Sequence, residues 1–123
     1  MNDITADNYI DRGLLMKTMS EAKKYNNDYP KYILRVSRLI HEGTGYDPFE
    51  NTTCRRREIV ESRQLLFYFL SLYTTKTLNK IGATLGKDHA TVIHAVRTIN
   101  NRIETEKDLR ELVKLLNDKI KKL

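Results

Sequence analysis

The chain has 123 residues, of which 40% are hydrophobic and 31% charged. That is enough for one domain with its own core, and too apolar for a disordered chain. The formal net charge is +6, and it is unevenly spread: residues 1–30 hold four Lys/Arg against five Asp/Glu, leaving 18 against 11 in residues 31–123. A basic body behind a near-neutral leader points to a polyanionic partner such as nucleic acid, although a solvated lysine-rich surface would give the same total. The single cysteine, Cys54, excludes an internal disulfide and a cysteine-based zinc framework. No apolar run approaches the roughly 18 residues of a membrane span, and the first residues have neither a basic nor an apolar signal region. A cytoplasmic, nucleoid-associated protein without cofactor or metal is expected.

Only 5 Gly and 2 Pro occur, and the apolar residues recur at helical spacing, so an all-α bundle is expected. From Asp7 to Tyr25, Ile10, Leu14, Leu15, Met19 and Ala22 mark an N-terminal helix. The charge shift near Pro30 is the one candidate boundary: residues 1–30 are read as a helical extension and 31–123 as the domain. Pro30 fits the first turn of the next helix, which carries Ile33, Val36, Leu39 and Ile40 and stops at Gly43-Thr44-Gly45. Asp47-Pro48 then opens a short helical turn around Phe49, followed by a loop, Asn51-Thr52-Thr53-Cys54-Arg55-Arg56-Arg57.

The next helix, with Ile59, Val60, Leu65, Leu66, Phe67, Phe69, Leu70 and Leu72, is apolar over most of its circumference and reads as the buried centre. Thr75 and Thr77 are both candidate N-caps for Leu78–Leu85. Gly86 permits a sharp turn, and Asp88 caps a long helix bearing Val92, Ile93, Val96, Ile99 and Ile103. A last amphipathic helix runs from about Glu106 to Lys121 with Leu109, Leu112, Val113, Leu115, Leu116 and Ile120 inward.

A short helix, a glycine turn and a longer helix with a polar first turn follow the helix-turn-helix plan. The second helix must place small or polar groups against base edges, which His89, Ala90 and Thr91 supply. Hairpins of two helices with glycine turns also occur in bundles that bind nothing, so spacing alone leaves that alternative open. His89 and His94 are five residues apart on different sides of the helix, which makes a metal site with Cys54 and His41 improbable. His94 is expected to be partly buried and hydrogen-bonded, and Cys54 to be a neutral loop residue.

The stretch Lys80-Ile81-Gly82-Ala83-Thr84-Leu85-Gly86-Lys87-Asp88-His89-Ala90-Thr91-Val92-Ile93-His94-Ala95 resembles the signature of domain IV, the C-terminal DNA-binding domain of the bacterial DnaA replication initiators. Arg55-Arg56-Arg57, followed by Arg63-Gln64, echoes the basic loop and next helix start of that family, and the resemblance extends from about Ile33 to Ile103. It implies base contacts by His89 and Thr91 in the major groove, with Asp88 beside them as a base contact or cap and Ala90 between. It implies a minor-groove arginine at Arg55, with Arg56 and Arg57 in the same basic loop, backbone contacts near Arg63 and Gln64, and packing of Leu78 on thymine methyls. Lys80 and Lys87 would supply phosphate contacts.

The chain departs from the family's commonest form in four places: one glycine fewer at Gly86-Lys87, Ala90 for a hydroxylated residue, Ser71 for a basic one, and Asn79 for a proline. The sequence contains no phosphate-loop motif. The expectation is a non-enzymatic protein that binds a DnaA-box-like duplex in replication control or transcription regulation. The alternative is an adaptor that keeps the fold, binds DNA weakly or not at all, and recruits a protein through its N-terminal helix.

Overall fold

A computed structural model describes residues 28–50 and 55–123, which form five helices and no strand among the described residues. They are α1 (Tyr29–Thr44), α2 (Arg57–Tyr73), α3 (Leu78–Ala83), α4 (His89–Thr105) and α5 (Lys107–Lys121). The expected helix over 7–25, residues 1–27 of the expected extension, and Cys54 lie outside the described residues, while Tyr29 and Pro30 belong to α1. None of the described helices is long and apolar enough to cross a membrane.

Helix α1 starts with Pro30 in its first turn and ends where Gly45 adopts φ 85°, its N–H donating to His41 O at 2.8 Å. The chain then turns back on the helix. Asp47 Oδ1 accepts from Phe49 N at 2.9 Å and from Ser37 Oγ at 3.4 Å. The short helical turn expected around Phe49 is a single turn that does not continue into a helix: Glu50 N donates to Asp47 O at 3.0 Å and the Asp47 carboxylate caps it as an Asx turn.

Helix α2 is the central element, packing against α1, α3 and most extensively α4. Leu65, Leu66, Phe69 and Leu70 have 0% exposure, and each full burial contributes roughly 1.5–3 kcal/mol before chain entropy is counted. Helix α5 rests on α4 and α1. Its inner stripe is Leu109, Val113, Leu116 and Ile120, with Leu112 half-buried and Leu115 left 50% exposed. Leu115 was expected inside, but it precedes Leu116 on the wheel and turns away from the stripe. Near the end of α2 the Tyr73 hydroxyl donates to Asn117 Oδ1 of α5.

Candidate nucleic-acid interface

The contact residues expected from the sequence lie on three elements: the start of α2, the short α3, and the first turn of α4. Helix α3 is capped by Thr77, whose side chain accepts from Lys80 N at 3.2 Å; of the two candidate caps, this is the one used here. Ile81 is 1% exposed and Leu85 5%, so α3 and the turn after it are anchored in the core. Leu78 is half-buried against that core, while Lys80 is exposed.

The turn from α3 to α4 rests on two glycines with different jobs. Gly86 takes φ 68°, in the left-handed region that a side chain disfavours, with open space where a Cβ would stand. Gly82 sits inside α3, where a Cβ would lie 2.6 Å from Lys87 O and 2.8 Å from Asp88 O. Its own carbonyl accepts from both Leu85 N (3.0 Å) and Lys87 N (2.9 Å). Gly82 thus lets the start of α4 lie directly against α3. Gly86 is conspicuous in the sequence as a turn residue, whereas Gly82 is not. An isolated glycine inside a short helix is the signal that could have exposed it.

Helix α4 begins at His89 with Asp88 as N-cap. One carboxylate oxygen, Asp88 Oδ1, accepts from Thr91 N at 3.0 Å and from Thr91 Oγ1 at 2.9 Å. These bonds, with the backbone one first in weight, hold the Asp88 carboxyl below the usual range for an aspartate. Because the folded value is depressed, the cap's stabilisation is fully present above the unfolded value of about 3.9 and is lost as pH falls through the folded value. Asp88→Asn is accordingly expected to flatten the acid limb of the thermal midpoint against pH below about pH 4, with little change near pH 7. An unaltered acid limb would remove Asp88 from this role.

His89, Ala90 and Thr91 are all exposed, whereas Val92, Ala95, Val96 and Ile99 form the inner stripe of α4. With its proton directed to Asp88, the Thr91 hydroxyl is left as an acceptor toward anything outside. Lys87, in the turn, is half-buried. His94 was expected to be partly buried, but it is exposed, its Nε2 3.5 Å from Thr98 Oγ1. The reason is helical phase: with Ala90, Arg97 and Asn101 it forms a solvent-facing stripe opposite the buried one.

Of the basic run, Arg55 and Arg56 precede α2 and Arg57 is its first residue, so the helix begins one residue inside the expected loop. All three are exposed. Arg56 lies over the Tyr46 ring, 5.7 Å from its centroid, and 3.6 Å from Glu58, so the turn after α1 supports the basic segment. Arg63 is only 9% exposed, because residues 59, 63, 66 and 70 share the inner face of α2; Gln64 is half-buried. Of the remaining contact residues expected from the sequence, Leu78 and Lys80 lie on α3, Lys87 and Asp88 in the turn, and His89, Ala90 and Thr91 on α4.

A short helix capped at Thr77, a turn built on Gly82 and Gly86, and a longer helix with an exposed polar start define a helix-turn-helix protein. Residues 49–99 match the family described as the bacterial dnaA protein helix-turn-helix. Similar proteins include the chromosomal replication initiator protein DnaA of Wolbachia from Brugia malayi, 41% identical over 126 residues, covering 98% of this chain and 27% of the relative. That of Flavobacterium psychrophilum is 40% identical over 67 residues, 54% of this chain and 14% of the relative. The Bacteroides thetaiotaomicron protein is 38% identical over 73 residues, 58% and 16% respectively. Residues 49–99 therefore carry a helix-turn-helix of the DnaA type, and the chain spans about a quarter or less of the length of these relatives.

Proposed function

We propose that this protein binds a short double-stranded DNA site resembling a DnaA box, and that it does so in the control of replication initiation or of transcription. The observation that carries this reading is the first turn of α4. His89, Ala90 and Thr91 stand exposed on a helix whose other face is buried. None of the three adds to the core, yet the cap, the turn and Gly82 all hold them at one angle. Such a turn has the dimensions and chemistry to enter a major groove.

In the proposed complex, His89 bonds a base acceptor or, through its other tautomer, a donor. The Thr91 oxygen accepts from an exocyclic amine, and the Ala90 methyl contacts a thymine methyl. Asp88 orients Thr91 and presents its second carboxylate oxygen to the groove. Lys80 and Lys87 contact phosphates from the two sides of the turn, and Leu78 packs beside them at the start of α3. The segment Arg55–Arg57 approaches the neighbouring minor groove, with Arg55 entering it and Arg56 and Arg57 along the backbone. Gln64 is accessible enough for a backbone contact. For Arg63 its burial favours support of α2 over direct contact with phosphate.

Band shift on a pool-selected duplex and on random duplex tests this directly. His89→Ala is expected to weaken binding to the selected site by about 1–3 kcal/mol and to leave random duplex nearly unchanged. Lys87→Ala is expected to weaken both alike and to lower the slope of log affinity against log salt by about 0.9. No duplex binding by the wild type at low salt would end the proposal, and equal losses on both duplexes for His89→Ala would remove the readout role from His89.

A further inference from the structure

Arg102 lies in the last turn of α4, and its guanidinium joins three elements. Nη1 is 2.8 Å from Glu61 Oε2 on α2. Nε donates to Glu106 Oε2 at 2.7 Å and Nη2 to Glu106 Oε1 at 2.9 Å, a two-pronged bond to the residue between α4 and α5. The Arg102 and Glu61 side chains are 21% and 23% exposed, so solvent and salt screen this pair less than a surface pair. Glu61 stands one turn beyond Arg57 in α2. Arg57 in turn is close enough to help keep Glu106 ionised, after the larger effect of Arg102. Arg57, Glu106, Arg102 and Glu61 thus alternate in sign between the start of the central helix and the end of the recognition helix.

Apolar packing thins toward this end of α4, where Ile103 is only partly buried against the core. The last fully buried residue of α4 is Ile99, although the helix continues to Thr105. A positive residue opening a helix meets the positive end of the helix dipole, which Glu58 in the same first turn and Glu106 nearby offset.

We propose that Arg102 is a positioning residue that couples the two DNA-contacting parts, fixing the segment Arg55–Arg57 relative to the first turn of α4 through Glu61 and Glu106. This rests on the DNA-binding reading above. A duplex presents its two grooves at a fixed offset, so a head held rigidly gains from both contacts together. A head whose α2 and α4 can slide against each other gains from each separately. The planar fork of arginine bonds two carboxylates in set directions, and a lysine amine does not reproduce that geometry.

The test is a double-mutant cycle on the selected duplex, with Arg55→Ala and His89→Ala made alone and together. In wild type the combined loss is expected to be at least fivefold smaller than the product of the two single losses, because either substitution already breaks joint seating. In the Arg102→Met background the losses should multiply within twofold, and Arg102→Lys should behave like Arg102→Met rather than restore coupling. A merely structural role would lower the thermal midpoint but leave the cycle as in wild type. If Arg102→Met does not fold, Glu61→Gln severs only the α2 arm and gives the same readout. A cycle unchanged in folded Arg102→Met or Glu61→Gln overturns the proposal while the DNA-binding reading stands; absence of any wild-type binding overturns both.

Discussion

Gly82→Ala is expected to lower the thermal midpoint by roughly 8–16 °C and to abolish selective binding. The new methyl would meet Lys87 O at 2.6 Å and Asp88 O at 2.8 Å. Both are backbone atoms, so no side chain can swing aside to relieve the clash. Overpacking of this kind costs about 1–3 kcal/mol, and contact this close belongs at the upper end. Alanine returns up to about 1 kcal/mol through its better helix propensity, leaving a net loss of about 2 kcal/mol, which moves the midpoint of a domain this size by the stated amount.

The binding loss should exceed what lower stability explains, because the clash pushes the Asp88 cap and the start of α4 away from α3. Gly86→Ala is the control. It meets nothing within 4 Å and is strained only through its φ of 68°, at about 1–2 kcal/mol. Thermal melts and band shifts on both variants decide the matter, and a Gly82→Ala protein as stable and selective as wild type would disprove the close-approach role.

Phe69→Ala is expected to cost about 3–5 kcal/mol in urea unfolding, a large part of the stability of a domain this size. The ring has 0% exposure and meets Tyr68 edge-on, with centroids 5.2 Å apart and planes at 76°. Burial on the same helix pushes the Tyr68 phenol pKa up, the mark of a dry surrounding. Truncation would open a cavity in the helix against which α1, α3 and α4 all pack. Leu34→Ala gives the contrast: at 64% exposure, its removal should change stability by less than about 0.5 kcal/mol. Equal effects at the two positions would mean that α2 is not the core.

Local chemistry made most of the fold legible in the sequence. Pro30, Gly45, Thr77, Gly86 and Asp88 act through their own backbone preferences and near neighbours, so the helix ends they set fell close to the expected places. The apolar surround of α2 announced its central position in the same way. What escaped depends on how one element closes on another. The importance of Gly82 arises only when residues 87 and 88 fold back on it, and Arg102 joins Glu106, one turn on, to Glu61 only when α2 packs against α4.

Helical phase explains other differences. The family resemblance implies a backbone contact at Arg63, but its position between Ile59 and Leu66 turns it inward. Leu115 and His94 moved the opposite way, onto outer faces. Around Phe49 a single turn forms, capped by the Asp47 carboxylate, and no helix continues from it. The face around α3 and the start of α4 was visible from residue type and spacing, whereas the supports behind it were not.

The exposed first turn of α4 also has an evolutionary consequence. Since His89 and Ala90 contribute nothing to the interior and Thr91 adds only its hydroxyl to the Asp88 cap, mutations there cost folding little. The scaffold can keep its stability while those three positions drift, so duplicated copies of this domain can part company in the site they recognise without passing through an unfolded ancestor.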